Sequence, residues 1–187
     1  DRLIYGNQRF ISFATVNQKL YDKTLTFNAG SKTYAMTGWR IGYVAGPEPI
    51  IKQMSKLQSQ TTSNTATFNM HALVEAHNGD QTEVEKMRKE FERRAEYMHQ
   101  RLNGIKGVTC VRPTGAFYAF PNVSGAFEAR GVKDSLSFSS VVLEKAKVAV
   151  VPGSAFGCDK NVRLSFATSM ENIQKGLDRM EELLGKK

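Results

Sequence analysis

The chain has 187 residues, 41% apolar and 24% charged, with 26 Lys and Arg against 18 Asp and Glu for a net charge of +8. That is enough for one sizeable core or two modest ones, and no apolar run approaches the roughly 20 residues that span a bilayer. The positive charge does not form a nucleic-acid stripe: from Glu83 to Arg101, Lys86, Arg88, Lys89, Arg93 and Arg94 interleave with Glu83, Glu85, Glu90, Glu92 and Glu96, a solvated helix face.

In chain order, Asp1-Arg2-Leu3-Ile4-Tyr5 shows no basic then apolar leader and no initiating Met, so a piece of a longer chain is expected. "TLTFN" (Thr24 to Asn28) alternates β-formers and predicts a short buried strand. It ends at Ala29-Gly30-Ser31, so Lys32 follows a strand's C-terminal end, where open α/β sheets collect ligands. "IGYVAG" (Ile41 to Gly46) predicts a second strand, stopped by Gly46-Pro47. "PEPIIKQMSKLQSQ" predicts a helix with Pro49 in its first turn and Ile50, Met54 and Leu57 on one face. "TTSNTATFNMHALVEAHNG" predicts a loop and then a helix closed by Asn78-Gly79. The spacing of Val84, Met87, Phe91, Ala95, Met98 and Leu102 predicts a long amphipathic helix from Thr82 to Leu102.

After Asn103-Gly104 the elements shorten. "VTCVRP" and "AFYAFP" predict neighbouring strands joined through Pro113-Thr114-Gly115, "SLSFSSVVLEKAK" a helix, and "VAVVPG" and "NVRLSFA" two further strands. "SMENIQKGLDRMEELL" predicts a closing helix with Ser169 as N-cap, Glu171 in the first turn, and a stripe of Ile173, Leu177, Met180 and Leu184. The expected division is residues 1–79, a piece of one α/β domain, and residues 80–187, a complete small α+β domain. Cys110 and Cys158 lie far apart and read as reduced thiols of a cytoplasmic protein. His71, His77 and His99 share no tight helix face, so no metal site is expected.

"SKTYAMTGWRIGYVAGP" (Ser31 to Pro47) carries the chemistry. A lysine attacks carbonyls only as a neutral amine, a form that burial and a nearby cation both favour. Arg40 supplies such a cation and suits a phosphate, because its fork donates two parallel bonds and keeps its charge. Gly38 and Gly42 let the backbone approach closely. A Schiff-base lysine with a phosphate clamp is what a pyridoxal phosphate site asks of a protein; from the residues alone, a plain surface lysine beside a strand stands as the competing reading. Trp39 and Tyr43 read as packing residues, and Phe117, Tyr118 and Phe120 as sheet core, with Phe156 a candidate for the wall of a substrate pocket.

The run from Ser31 to Tyr43 resembles the pyridoxal-phosphate lysine signature of class I, fold-type I aminotransferases, the group of the aspartate and aromatic aminotransferases. "RPTGAFYAFP" (Arg112 to Pro121), "VVPGSAFG" (Val150 to Gly157) and "NVRLSFATS" (Asn161 to Ser169) resemble that family's small-domain strand pair, its turn facing the active site, and its strand with the substrate-binding arginine. The resemblance implies the C-terminal part of a fold-type I large domain followed by the small α+β domain. It implies an enzyme moving an amino group between an amino acid and a 2-oxo acid, with pyridoxal 5′-phosphate, as a homodimer; the mixed charges and the lack of a long apolar run predict no nucleic-acid or membrane partner. Lys32 would be the Schiff-base residue and proton shuttle, Arg40 the phosphate clamp with Ser31 as a second contact, and Arg163 the ligand of the substrate's α-carboxylate. Asn64 falls in a segment that lies near the partner subunit's cofactor in that family.

Two departures from the pattern matter. The family's Asp-x-x-Tyr motif precedes the lysine, but Asp1 and Tyr5 are spaced four apart, so "RLIYGNQRFISFA" matches the segment after that motif and both residues are expected upstream. At Ala29 many relatives place a phosphate-binding serine. The alternatives are another fold-type I enzyme (a C–S lyase, a decarboxylase or a synthase) and the effector domain of an aminotransferase-like transcription regulator.

Overall fold

Strands β1 (Thr26–Ala29) and β2 (Gly42–Ala45) form an antiparallel pair, with Thr26 opposite Ala45 and Ala29 opposite Gly42. They belong to the first of two compact units of the computed structural model, which describes residues 1–187; this unit comprises residues 1–2 and 8–87, and the second comprises residues 3–7 and 88–187. One-turn helices flank β1: α1 (Gln18–Tyr21), capped by Asn17, whose side chain accepts from the Lys19 N–H at 2.8 Å, and α2 (Gly30–Thr33). Helices α3 (Glu48–Thr61) and α4 (Thr67–Asn78) follow β2, with Pro49 in the first turn of α3, where its missing N–H has no partner to lose.

The apolar core of this unit is small: Met36, Ile41 and Leu73, with Tyr34, Met70, Ala72 and Ala76 packed against them. β1 is not the buried strand its alternation predicts. Phe27 is 67% exposed, because β2 pairs along one edge and no element covers the face that Phe27 occupies. For the same reason the apolar stripe of α3 stays open, with Ile50 and Leu57 exposed and no residue of the helix buried.

Helix α5 (Thr82–Gly104) runs from the first unit into the second. Its stripe behaves as the spacing predicts: Ala95, Met98 and Leu102 are buried, and Val84, Met87 and Phe91 are partly so. On its outer face Arg93 and Arg94 both donate to Glu90, and the hydrogen bonds from Arg93, above all, hold the Glu90 carboxyl down at about 2.

The second unit continues with β3 (Tyr118–Ala119), α6 (Phe127–Arg130), α7 (Ser135–Val141, widened into a π turn over Val142–Ala146), β4 (Val151–Pro152), β5 (Val162–Ser165) and α8 (Met170–Leu184). The strands form an antiparallel sheet in the order β3-β5-β4. Ser169 caps α8 by accepting from the Asn172 N–H at 3.2 Å, and Ile173, Leu177, Met180 and Leu184 all face the core. There they join Leu102, Ile105, Val108, Phe138 and Phe166, each of which contributes about 1.5–3 kcal/mol by leaving water.

"VTCVRP" is not a strand. Its one sheet contact is an isolated bridge between Thr109 and Asn122. Asn103 stops the ladder there: its Oδ1 accepts from the Cys110 N–H at 3.0 Å and its Nδ2 donates to the Cys110 carbonyl at 2.9 Å. "AFYAFP" therefore pairs with β5 instead. No helix is long and apolar enough to cross a membrane.

Candidate functional site

Lys32 lies on α2, two residues past a close approach between backbone and helix. Ala29 enters the turn in an extended conformation, its N–H held by Asn28 Oδ1 at 2.8 Å. Gly30 is buried, and a Cβ there would lie 2.9 Å from Leu73 Cδ1 and 3.3 Å from Met36 Sδ, so glycine lets the turn seat against α4. Thr33 is buried too; its hydroxyl donates to Asp1 Oδ1 at 3.2 Å, while Asn28 Nδ2 donates to Asp1 Oδ2 at the same distance. Tyr34 ties the far end of the turn to α4, its hydroxyl 3.1 Å from His77 Nδ1 and its ring edge-on to the imidazole at 5.1 Å. With Gly30 and Thr33 facing inward, Ser31 is left half-buried and Lys32 exposed. The burial that amine chemistry calls for is thus not supplied by this stretch.

Arg40 has a left-handed backbone, φ 50° and ψ 48°, which costs a non-glycine residue about 1–2 kcal/mol. Two bonds hold it there: Arg40 Nη1 donates to the Thr37 carbonyl at 2.8 Å, and Asn69 Nδ2 to the Trp39 carbonyl at 2.7 Å. The Thr37–Trp39 turn touches α2. Ser31 and Lys32 therefore stand on one turn and Arg40 at the end of another that touches it, flanked in the chain by Met36 and Ile41 of the apolar cluster. An amine, a hydroxyl and a guanidinium so placed are a donor set that fits a ligand carrying an aldehyde and a phosphate. Trp39 and Tyr43, read from sequence as packing residues, are 43% and 42% exposed.

Arg163 belongs to the second unit, on β5 opposite Val151. Strand alternation buries its neighbours Val162 and Leu164 and turns Arg163 and Ser165 to the other face. Tyr118 pairs with Ser165, which sets it diagonal to Arg163, and the Arg163 Cζ lies 4.4 Å from the centre of the Tyr118 ring. Phe156 closes the 3-10 turn Gly153–Phe156 after β4, and its ring centre is 4.6 Å from the same Cζ. Gly153 admits that turn, since a Cβ there would meet the Cys158 carbonyl at 2.2 Å. The Arg163 side chain makes no hydrogen bond or ion pair with a protein group.

Sequence reasoning misplaced Tyr118 and Phe120. Both are 37% exposed, not sheet core, and the signal was present in the period of two: Phe117 and Ala119 point inward, so Tyr118 and Phe120 point out. Nothing in the sequence marked Asn69 as the support of the Arg40 turn. Asn64 lies exposed in the loop before α4.

The description "Aminotransferase class I and II" matches residues 2–180 of the chain. It is 42% identical over 186 residues to the aspartate aminotransferase of Bacillus subtilis, covering 100% of this chain and 47% of that protein. It is 43% identical over 185 residues to the asparagine–oxo-acid transaminase of Streptococcus mutans, covering 99% and 47%. Among solved structures, the aspartate aminotransferase of Rhizobium meliloti superposes with a TM-score of 0.91 at 40% identity, over 96% of this chain and 46% of that one. The aromatic aminotransferase of Pyrococcus horikoshii gives 0.89 at 41%, over 98% and 48%. The chain spans about half the length of the relatives it matches.

Proposed function

The chain belongs to the class I and II aminotransferase family, and on that premise we propose that it is the C-terminal half of a pyridoxal-phosphate-dependent aminotransferase of the aspartate type, transferring an amino group between an amino acid and a 2-oxo acid. Residues 1–79 are then the last part of a large cofactor-binding domain, and residues 80–187 its small C-terminal domain. The exposed Phe27, Ile50 and Leu57 suit a domain whose remaining half covers them. The protein works as a homodimer in this reading, and the half alone is catalytically silent, since half a site does not hold a cofactor in a competent geometry.

Lys32 would hold the cofactor through its amine, Arg40 would grip the phosphate with the N–H groups not spent on Thr37, and the Ser31 hydroxyl would give a second phosphate contact. When bound, pyridoxal phosphate supplies an electron sink for the charge left at the substrate's α-carbon. Once the substrate's amine has displaced it, Lys32 Nζ would be free to take the proton from that carbon as a general base, and Arg163 would fix the α-carboxylate through two charged hydrogen bonds, each worth about 1.5–3 kcal/mol. The observation that supports this reading most is that the turn carrying Lys32 touches the turn that ends at Arg40.

The test uses the full-length protein that contains this chain, with pyridoxal phosphate, L-aspartate and 2-oxoglutarate. We expect a visible cofactor absorbance band and formation of glutamate, and in Lys32→Ala the loss of the lysine-linked band with a fall in turnover of about 10²–10⁴-fold or more. Absence of the band in the wild type would overturn the proposal. Ammonia release that does not depend on the oxo acid would overturn transamination in favour of a lyase.

A further inference from the structure

We infer that Tyr118 and Phe156 are positioning residues that keep the Arg163 guanidinium flat, oriented and without a competing carboxylate, ready for the α-carboxylate of the substrate. The inference rests on the reading of Arg163 given above and adds to it how the arginine is held.

Several other arginines of the same unit are restrained by carboxylates. Arg88 pairs with Glu92 at 2.9 Å, Arg94 with Glu90 at 2.8 Å, and Arg101 with both Asp178 and Glu181 at 2.5 and 3.0 Å. A carboxylate anchor of that kind on Arg163 would occupy the fork that a substrate needs. Arg163 has ring faces instead, 4.4 Å and 4.6 Å from its Cζ. Both distances run from the same Cζ, so the two rings share this one guanidinium as a neighbour. Stacking uses the faces of the guanidinium plane and leaves its five N–H groups, which lie in that plane, for an incoming acceptor. An unrestrained arginine has wide rotamer freedom that must be lost on gripping a ligand; the two rings remove part of it beforehand.

Each ring is itself supported. Phe120 meets Phe156 edge-on at 6.0 Å, and Phe117 lies 4.6 Å from Tyr118. The cross-strand diagonal from Tyr118 to Arg163 follows from the β3–β5 register, so a shift of one residue there would turn the tyrosine to the opposite face. Tyr118, Phe120 and Phe156 thus form an exposed aromatic cluster whose geometry serves one cation.

The experiment uses the full-length protein loaded with pyridoxal phosphate. Its readouts are KM and kcat for L-aspartate and 2-oxoglutarate, and the equilibrium Kd of maleate, an unreactive dicarboxylate, by calorimetry. Tyr118→Leu and Phe156→Leu should each raise KM and the maleate Kd by about three- to tenfold, with kcat within about twofold of wild type. Tyr118→Phe, which keeps the ring, should restore both. In an Arg163→Lys background, where no plane remains to stack, removing either ring should add little. Phe156 is 48% exposed, so its leucine variant tests the idea without risk to the core. Wild-type maleate affinity in both ring variants, alongside weakened binding in Arg163→Lys, would overturn this inference and leave the role of Arg163 standing. Unchanged maleate affinity in Arg163→Lys would overturn that role and this inference with it. Loss of pyridoxal phosphate from the ring variants would mark a general structural defect and also overturn it.

Discussion

Cys110 and Cys158 have the same side chain and opposite surroundings. Cys110 is buried, and burial pushes its thiol up to about 11, the hydrogen bond from the Phe120 backbone offsetting only part of that. Cys158 sits exposed in the turn after Phe156. A thiolate-directed reagent at pH 8 is therefore expected to modify Cys158 rapidly and Cys110 only after unfolding, so native and denatured chain should titrate one and two thiols. The same shift carries a pH signature. Below the ordinary thiol value near 9, Cys110 is protonated in both folded and unfolded chain and its contribution to stability is complete. Between about 9 and 11 the unfolded chain releases the proton first, so stability falls as the pH rises. Denaturation midpoints measured across that range should slope downward in wild type and less steeply in Cys110→Ala. At this scale the sequence was readable where a long run matches a family signature, as Ser31 to Tyr43 does around Lys32 and Arg40; from the residues alone a surface lysine beside a strand stood as the competing reading. It was silent where a residue acts by filling a hydrogen-bonding role, as Asn69 does for the Trp39 carbonyl.

Elements were legible when a long period repeats and doubtful when a single side chain decides. The stripe of α5 and the capped stripe of α8 fall where the spacing of their apolar residues puts them. "VTCVRP" has the β-branched texture of a strand, yet Asn103, at the end of the preceding helix, binds both backbone groups of Cys110 and also donates to the His99 carbonyl at 3.0 Å. That competition between a side-chain amide and a ladder depends on where the helix ends in space, which local propensity does not encode. Asn103→Ala strands the Cys110 N–H and carbonyl in a half-buried setting and should lower unfolding stability by about 2–3 kcal/mol, read from chemical denaturation. Asn103→Asp keeps the acceptor for the Cys110 N–H and loses the donors, so it should retain some of that stability. The exposure of β1 has the opposite lesson: its alternation was read correctly, but burial is decided by what lies on its faces, and β2 covers an edge only.

At the scale of the whole molecule, five residues near the start of the chain belong to the unit formed by its end. Ile4 bridges Gly115, the Tyr5 N–H donates to the Thr114 carbonyl at 3.0 Å, the Ala116 N–H to the Leu3 carbonyl at 2.9 Å, and the Gly6 N–H to Glu92 Oε1 at 2.7 Å. The Tyr5 hydroxyl also donates to the Ala116 carbonyl, and burial, more than the neighbouring Glu92 charge, raises its pKa. Deleting residues 1–7 should therefore loosen the second unit, with amide exchange by mass spectrometry faster over Thr114 to Phe117 than in the intact chain; unchanged exchange there would contradict the role given to these contacts. Within the second unit these contact partners lie 84, 86 and 111 positions apart, so residues 8–87 are in sequence an insertion of eighty residues between them. During synthesis, Leu3–Asn7 leaves the ribosome long before Arg88 and Ala116 exist to receive it. Arg88 and Ala116 can then capture the Leu3–Asn7 segment only after the eighty residues from Gln8 to Met87 have been delivered.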